Sequence, residues 1–169
     1  MTDLGQLNGK ASIYVDSLSH RQVLEDLVKG SQALTALLIT KQGTVLSSAG
    51  ETGYLNTTAV AALVAGMFTA TREVARMVGE HQFSILLQQG ELRNIHISLV
   101  SDASMMVVIF EDHNRIGLIR HSAKKAASQL GEISQRGESG AARIDQLSLP
   151  KFKEYALNLI DRIFEPQAE

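Results

Sequence analysis

Two hydrophobic periodicities alternate along the chain, one typical of helices and one typical of strands. Apolar residues three or four positions apart predict a first helix that Ser19 caps and Gly30 ends, a long helix from about residue 57 to 77–79, and a third helix from about Asn114. Residues 1–18 are predicted to be a loose lead-in that includes one candidate short strand, 12–15. Alternating or wholly apolar runs predict five strands, at 35–40, 44–49, 82–88, 92–100 and 105–110.

The strands come in two runs with tight turns between neighbours. Lys41-Gln42-Gly43 forms one such turn, with a glycine available for positive φ. Residues 105–110 (MMVVIF) are apolar at successive positions, so this strand is expected at the centre of a sheet that is covered on both faces. The order of helix, two strands, long helix, three strands and helix therefore predicts an α+β fold with an antiparallel sheet.

Composition narrows the class of protein. The 169 residues carry 16 Lys+Arg and 18 Asp+Glu, a net charge of −2, which argues against broad binding to nucleic acid. Cysteine is absent, which excludes disulfides and thiolate metal sites. No stretch resembles a signal peptide or a membrane span, so we expect a soluble, cytoplasmic protein.

The chain is predicted to divide into four segments. They are an N-terminal lead-in (1–18), a globular domain (19–135), a linker (136–148) and a C-terminal amphipathic helix (149–169). The linker is predicted from the polar, glycine-containing stretch SQRGESGAARIDQ, residues 134–146. Ser148 and Pro150 suit the start of the last helix.

Motifs that bind nucleotides or metals are missing from the sequence. It contains no G-x-x-x-x-G-K-[ST], no G-x-G-x-x-G and no H-E-x-x-H, and its five histidines lack ligand spacing. We therefore expect no active site, no cofactor and no metal ion. The densest polar cluster, residues 111–114 (EDHN), is interpreted as a helix start rather than as a metal or acid–base site. For His96 a structural or interface role is favoured over a catalytic one.

The long helix is apolar on nearly all sides. A core-facing stripe is predicted, and the remaining positions are small or apolar as well, including Gly66. Such a helix is either a central core helix or is covered by another chain, and a close contact would explain a glycine inside a helix. We favour an interface. The predicted core stripe comprises Val60, Leu63, Val64, Met67, Val74, Met77 and Val78.

Two arginines on the long helix raise the question of catalysis in trans. Arg72 and Arg76 lie one turn apart, and an arginine supplied in trans can stabilise the charge of phosphoryl transfer. The simpler interpretation is that both are solvated helix arginines, with Arg76 and Glu80 forming an i, i+4 pair. We favour the simpler interpretation.

The predicted C-terminal helix has one apolar face, formed by Phe152, Tyr155, Leu159 and Ile163. Ordering about 16 residues costs on the order of 24 kcal/mol, whereas burying these side chains returns roughly 8–15 kcal/mol. The helix is therefore expected to be marginal alone. It either docks on its own domain or binds a groove of a partner.

Several segments in this order resemble the roadblock (dynein light-chain) family, and within it the MglB-like branch. The resemblance covers residues 18–135. The segments are 36–46 (ALLITKQGTVL), 57–66 (TTAVAALVAG), 78–80 (VGE), Phe83, 89–91 (QGE), 107–111 (VVIFE) and 116–120 (IGLIR).

The resemblance implies an α/β/α sandwich. In such a fold a five-stranded antiparallel sheet carries the long helix on one face and two helices on the other. It also implies a homodimer that joins edge strands and apposes the long helices, with Phe68, Phe83, Ile85 and Leu87 at the dimer interface. Phe68 follows Met67 where relatives of this branch have Asn and a small residue.

The resemblance further implies that the protein regulates a small Ras-like GTPase of the MglA type, as a GTPase-activating protein in bacterial cell polarity or gliding motility. Members of this branch supply no arginine finger. The GTPase would bind Ala62, Gly66, Thr69, Glu73 and Arg76, and the C-terminal helix would add a second contact. The alternatives are a roadblock scaffold that recruits a GTPase or a sensor kinase without activating it, and a small-molecule sensor.

Overall fold

The computed structural model describes the backbone of residues 4–136 and the side chains of residues 18–136. The described fold belongs to one compact unit that ends at Ser134. Its elements are α1 (Leu4–Ser31), β1 (Thr35–Thr40), β2 (Val45–Gly50), α2 (Thr57–Met77), β3 (Ile85–Gln89), β4 (Asn94–Leu99), β5 (Ser104–Phe110), a 3₁₀ turn (His113–Arg115) and α3 (116–136).

The five strands form one antiparallel sheet in the order β2-β1-β5-β4-β3. Strand β5 lies in the middle and all seven of its residues are buried, as its apolar sequence predicted. The predicted α+β class with a five-stranded antiparallel sheet is confirmed. The two edge strands are β2 and β3.

Each face of the sheet carries its own hydrophobic core. Leu24 of α1 and Ile119 of α3 pack with Leu38 and Val108 on one face, so α1 and α3 share this side. Val64 and other residues of α2 cover the opposite face. The predicted sandwich is therefore confirmed, and each fully buried Leu, Ile or Val contributes roughly 1.5–3 kcal/mol relative to an exposed side chain.

Local sequence determines both ends of α2. The side chain of Asn56 accepts a hydrogen bond from the Ala59 backbone N–H at 3.0 Å, which caps the N-terminus. At the other end Gly79 adopts φ +86°, and the N–H of Glu80 donates to the carbonyl of Ala75 at 2.9 Å. This Schellman arrangement ends the helix where the sequence predicted.

The N-terminal segment differs from the prediction. Helix α1 begins at Leu4, so residues 12–15 are helical rather than a strand, and Ser19 lies inside the helix instead of capping it. Leu4, Leu7 and Ala11 continue the spacing of three to four residues toward the N-terminus, and this periodicity favours helix over strand. None of the described helices is long and apolar enough to cross a lipid bilayer.

Strand β2 carries an irregularity at the outer edge of the sheet. Ser47 pairs with Leu38, but the next residue of β1, Ile39, pairs with Val45, so Leu46 is an additional residue in β2. Such a β-bulge bends the strand and interrupts its ladder.

Candidate partner-binding surface

The structure corrects the predicted orientation of α2. Val64 of the predicted core stripe is buried, but Leu63, Val74, Met77 and Val78 are exposed. Val60 and Met67 pack against the core as predicted. Because the helix is apolar on nearly all sides, periodicity could not select one face, and the other four side chains were wrongly assigned to the core. The residues of α2 that the fold buries are mostly small: Ala61, Val64, Ala65, Phe68 and Ala75.

The side of α2 opposite the sheet is an exposed apolar surface. Leu63 is 74% exposed and Met77 is 87% exposed. With 100° of rotation per residue, Leu63 and Met77 lie on the same side of α2 as several small exposed residues about one turn away. We call this surface the outer face of α2: Ala59, Leu63, Gly66, Ala70, Val74 and Met77. A contiguous exposed apolar strip of this kind is typical of a protein interaction site.

The five residues predicted to bind a GTPase, Ala62, Gly66, Thr69, Glu73 and Arg76, are all exposed and lie along the outer face or on its flank. Arg76 pairs with Glu73, at 2.9 Å between Nη1 and Oε1, and not with Glu80 as predicted. The hydroxyl of Thr69 donates to the Ala65 carbonyl at 2.9 Å, within the helix.

Two glycines near this surface, Gly43 and Gly66, differ in the space that a Cβ atom would find. Gly43, in the β1–β2 turn, has φ +87°, and a Cβ there would lie 2.8 Å from the Cα of Ala62, so the turn rests directly on α2. A Cβ added to Gly66 would meet no atom within 4 Å. No described residue of the chain therefore requires glycine at position 66.

The residues predicted for a dimer interface divide into two groups. Ile85 and Leu87 lie on the edge strand β3, Phe83 precedes it, and all three are at least partly exposed. Phe68 is only 6% exposed and packs in the core beneath α2, so its assignment to an exposed interface is corrected. The phenyl ring fills the space that the neighbouring alanines leave against the sheet.

Arg72 lies on the flank of α2 toward the β1–β2 turn. Together with Lys41, Thr69 and Gln82 it borders a cavity of about 20 Å³, which holds no more than a water molecule. Arg72 is exposed, as a solvated helix arginine would be.

The polar cluster at residues 111–114 lies just before α3 and includes the start of the 3₁₀ turn. The carboxylate of Asp112 accepts a hydrogen bond from the Asn114 backbone N–H at 2.9 Å and pairs with Arg115 at 3.2 Å. The hydrogen bond from Asn114 is the main cause that lowers the pKa of Asp112. Among the described residues, no group of three or more His, Asp or Glu is placed to hold a metal ion.

His96 lies on β4 beneath α3, opposite Val108 of β5. It is 1% exposed, and neither ring nitrogen has a hydrogen-bond partner within the described part of the chain. Burial lowers the pKa of His96, and the positive charge of Arg120 lowers it further. A side chain so enclosed contributes to packing.

The sequence interpretation missed the large apolar members of the outer face, Leu63, Val74 and Met77. The signal that identifies them is the alanine at positions 61, 65 and 75, because small residues at this spacing let a helix lie close to a sheet. The apolar face predicted for the tail, with Phe152, Tyr155, Leu159 and Ile163, lies outside the described residues.

Comparison with known proteins agrees with this geometry. Residues 20–110 match the family model of the Roadblock/LC7 domain. MglB of Myxococcus xanthus is 30% identical over 72% of this chain and 91% of its own, with a TM-score of 0.69. No protein with a curated description matches the sequence significantly.

Two further structures are similar. An MglB with a tetrameric arrangement is 26% identical over 72% of this chain and 92% of its own, with a TM-score of 0.69. The gliding protein MglB of Thermus thermophilus is 26% identical over 73% and 92%, with a TM-score of 0.66. This chain therefore belongs to the Roadblock/LC7 family, and its fold is that of the MglB proteins.

Proposed function

We propose that this protein is a homodimeric regulator that binds a small Ras-like GTPase of the MglA type and accelerates its GTP hydrolysis. The observation that carries the proposal is the outer face of α2, which is apolar and, among the described residues, exposed. The similarity to MglB proteins selects the class of partner. By the same similarity, the regulator would act in the cytoplasm in cell polarity or gliding motility.

The dimer would form at the edge strand β3 and along α2. Antiparallel pairing of two β3 strands satisfies N–H and C=O groups that β4 leaves free, and it covers Ile85, Leu87 and Phe83. By the resemblance to MglB proteins, the arrangement would also appose the two α2 helices, each of which covers one face of its own sheet. Leu63, Val74 and Met77 would then lose solvent exposure.

The GTPase would contact the flank of the paired helices. Ala62 and Gly66 lack bulky side chains, so the partner's backbone can approach α2 closely, and Thr69 adds a small polar group. Glu73 and Arg76 place one charge of each sign at the end of this row. The C-terminal helix predicted at 149–169 would supply a second contact.

The chemical contribution would be indirect. Arg76 is already paired with Glu73, so a free guanidinium is not held ready for a phosphate. The regulator would instead stabilise the orientation of the GTPase's own catalytic groups.

Substitution of Arg72 and Arg76 distinguishes indirect activation from an arginine finger. We expect Arg72→Ala and Arg76→Ala to weaken GTPase binding by a few-fold and to leave the rate at saturation nearly unchanged. An arginine finger contributes about 10³–10⁵ in rate, so a loss of that size at saturation would contradict indirect activation. Single-turnover phosphate release at increasing regulator concentration measures both quantities.

The decisive assay is phosphate release by the cognate GTPase with and without the regulator. Gly66→Arg should abolish stimulation, because it adds a long charged side chain to the surface that binds the GTPase. Gly117→Arg is the matched control: both residues are helical glycines with open space where a Cβ would lie, but Gly117 is on α3. Stimulation that persists in Gly66→Arg would mean that the GTPase binds another face.

The same assay tests the scaffold alternative. A scaffold would bind the GTPase, as measured by calorimetry, without changing the rate of phosphate release. Glu73→Arg should abolish binding in either case, since it reverses a charge on the proposed contact flank.

A further inference from the structure

Helix α3 carries a concentration of positive charge that the GTPase proposal does not use. From His113 to Gly131 the sequence contains four Lys or Arg residues and two His residues, and no Asp or Glu. Since the whole chain has a net charge of −2, this excess is local to one helix.

Three of these cations have no ion-pair partner among the described residues. Arg120, Lys124 and Lys125 are exposed, and no carboxylate of the described residues lies within ion-pair distance of them, whereas Arg115 is paired with Asp112. Lys124 and Lys125 lie on the side of α3 away from the core, and Arg120 lies on its flank. We call these three residues the basic face of α3.

An open groove lies between α1 and α3 and meets the basic face at Lys125, whereas Lys124 and Arg120 lie on sides of α3 that turn away from the groove. Its volume is about 230 Å³, and Val23, Leu27 and Ala126 give it an apolar floor. Lys125 lies on the α3 rim. On the α1 rim the carboxylate of Asp26 accepts a hydrogen bond from the Gln22 amide at 3.0 Å, so the rim is acidic on one side and basic on the other.

We propose that Lys124, Lys125 and this groove bind a short acidic segment of another protein, with one large apolar side chain seated in the groove. Charge complementarity selects acidic residues for the basic face. The groove is smaller than the roughly 300–1,000 Å³ of sites for drug-sized molecules, but it accommodates one or two side chains.

Other anionic partners fit this surface less well. A membrane-bound helix inserts an apolar face among the lipids, but the apolar face of α3 lies in the core against Phe110 and Leu38. Proteins that bind single-stranded nucleic acid use aromatic stacking, and residues 113–131 contain no aromatic side chain other than histidine.

The position of this surface has a functional consequence. The basic face lies on the side of the sheet that α1 and α3 cover, opposite the outer face of α2. An acidic segment would therefore bind without competing with a GTPase. The regulator would carry a separate docking site for a protein that places it in the cell.

The test is fluorescence anisotropy with a labelled synthetic peptide of ten Glu and Asp residues around one central Leu, titrated with the full-length protein. We expect saturable binding that weakens as salt rises from 50 to 200 mM. The Lys124→Glu, Lys125→Glu double variant should weaken binding by on the order of tenfold. The single variant Lys41→Glu, on the other side of the sheet, is the charge-reversal control and should bind normally.

Two additional probes make the outcome decisive. Replacing the central Leu of the peptide with Ala should weaken binding several-fold if the groove holds the side chain. Absence of peptide binding, or equal binding by the double variant, would overturn the proposal. Binding only to vesicles of phosphatidylserine and phosphatidylcholine, and not to the peptide, would assign the surface to a membrane instead. GTPase stimulation should be the same in the double variant and the unchanged protein, so failure here is distinct from failure of the GTPase proposal.

Discussion

At the scale of single residues, His96 combines a titratable ring with a site that disfavours charge. Its two neighbours on the same face of β4, Asn94 and Ser98, are also buried and each has a polar atom without a hydrogen-bond partner among the described residues. Helix α3 contributes Arg120, a positive charge, and no acidic residue faces the ring from α3. Protonation of the imidazole inside the fold is therefore unfavourable.

This arrangement predicts a pH dependence of stability. The pKa of His96 is lowered in the folded protein, whereas in the unfolded chain it has its ordinary value near 6.5. As the pH falls below about 7, the unfolded state takes up a proton that the folded state does not, so the free energy of unfolding decreases, by at most about 1.4 kcal/mol per pH unit. The decrease stops once the pH is below the folded pKa.

Urea unfolding between pH 7.5 and pH 5 measures this effect. His96→Leu should remove the slope and cost little stability at pH 7.5, because the imidazole nitrogens it replaces have no partners among the described residues. His121→Asn is the matched control, because His121 lies on α3, which covers the sheet face that carries His96, but the His121 side chain is exposed. An unchanged slope in His96→Leu would contradict the prediction.

Gly43 has one feature that the sequence predicts and one that it does not. A glycine with positive φ at Gly43 was predictable from the length of the hairpin turn, and the φ of +87° agrees. The contact of this turn with Ala62 was not predictable, because it joins two segments that only the folded sheet brings together.

At the scale of elements, strands were predicted better than the orientation of the long helix. The apolar run of β5 is compatible only with a central strand. Helix α2 has apolar residues on both faces, so either face could pack against the sheet. The choice depends on which side chains fit the sheet closely, and this is a property of packing. For this reason the hydrophobic periodicity alone predicted Leu63 and Met77 in the core, although both are exposed.

Strand β3 leads to a prediction for the dimer. The Leu99 N–H donates to the Ser84 carbonyl at 3.0 Å, so in the alternating antiparallel ladder the N–H of Ile85 points away from β4. Ile85→Pro would remove that outward donor and leave the bonds to β4 in place. We expect the dimer dissociation constant to rise by about tenfold or more, since symmetric pairing loses a hydrogen bond on each copy.

Sedimentation velocity over a range of concentrations measures this change. Ile85→Thr keeps the backbone donor and should remain dimeric, which separates the hydrogen bond from the side chain. Circular dichroism should show that both variants are folded. A dimer that is equally stable with proline at position 85 would place the interface elsewhere.

At the scale of the whole molecule, the order of the elements and the α+β class were predictable because tight turns and apolar runs are local signals. The extent of α1 toward Leu4 was not predicted, because a weakly apolar segment is compatible with helix and with loop. The domain boundaries at 19–135 and the linker at 136–148 remain predictions.

The C-terminal helix can be tested by removing it. Truncation after Ser148 should leave the dimer folded, with an unchanged midpoint of thermal unfolding, because both cores of the described fold are formed by residues before position 131. The affinity for the GTPase should fall, as measured by calorimetry. A large loss of stability would instead mean that the tail docks on its own domain.

The bulge at Leu46 has a consequence for how this protein behaves at high concentration. A sheet with two regular edges can add copies at both ends and grow into a fibre. Here β2 is interrupted by the bulge, while β3 is regular. If two copies pair at β3 as proposed, only interrupted edges remain at both ends, so growth by strand addition is expected to end with two copies.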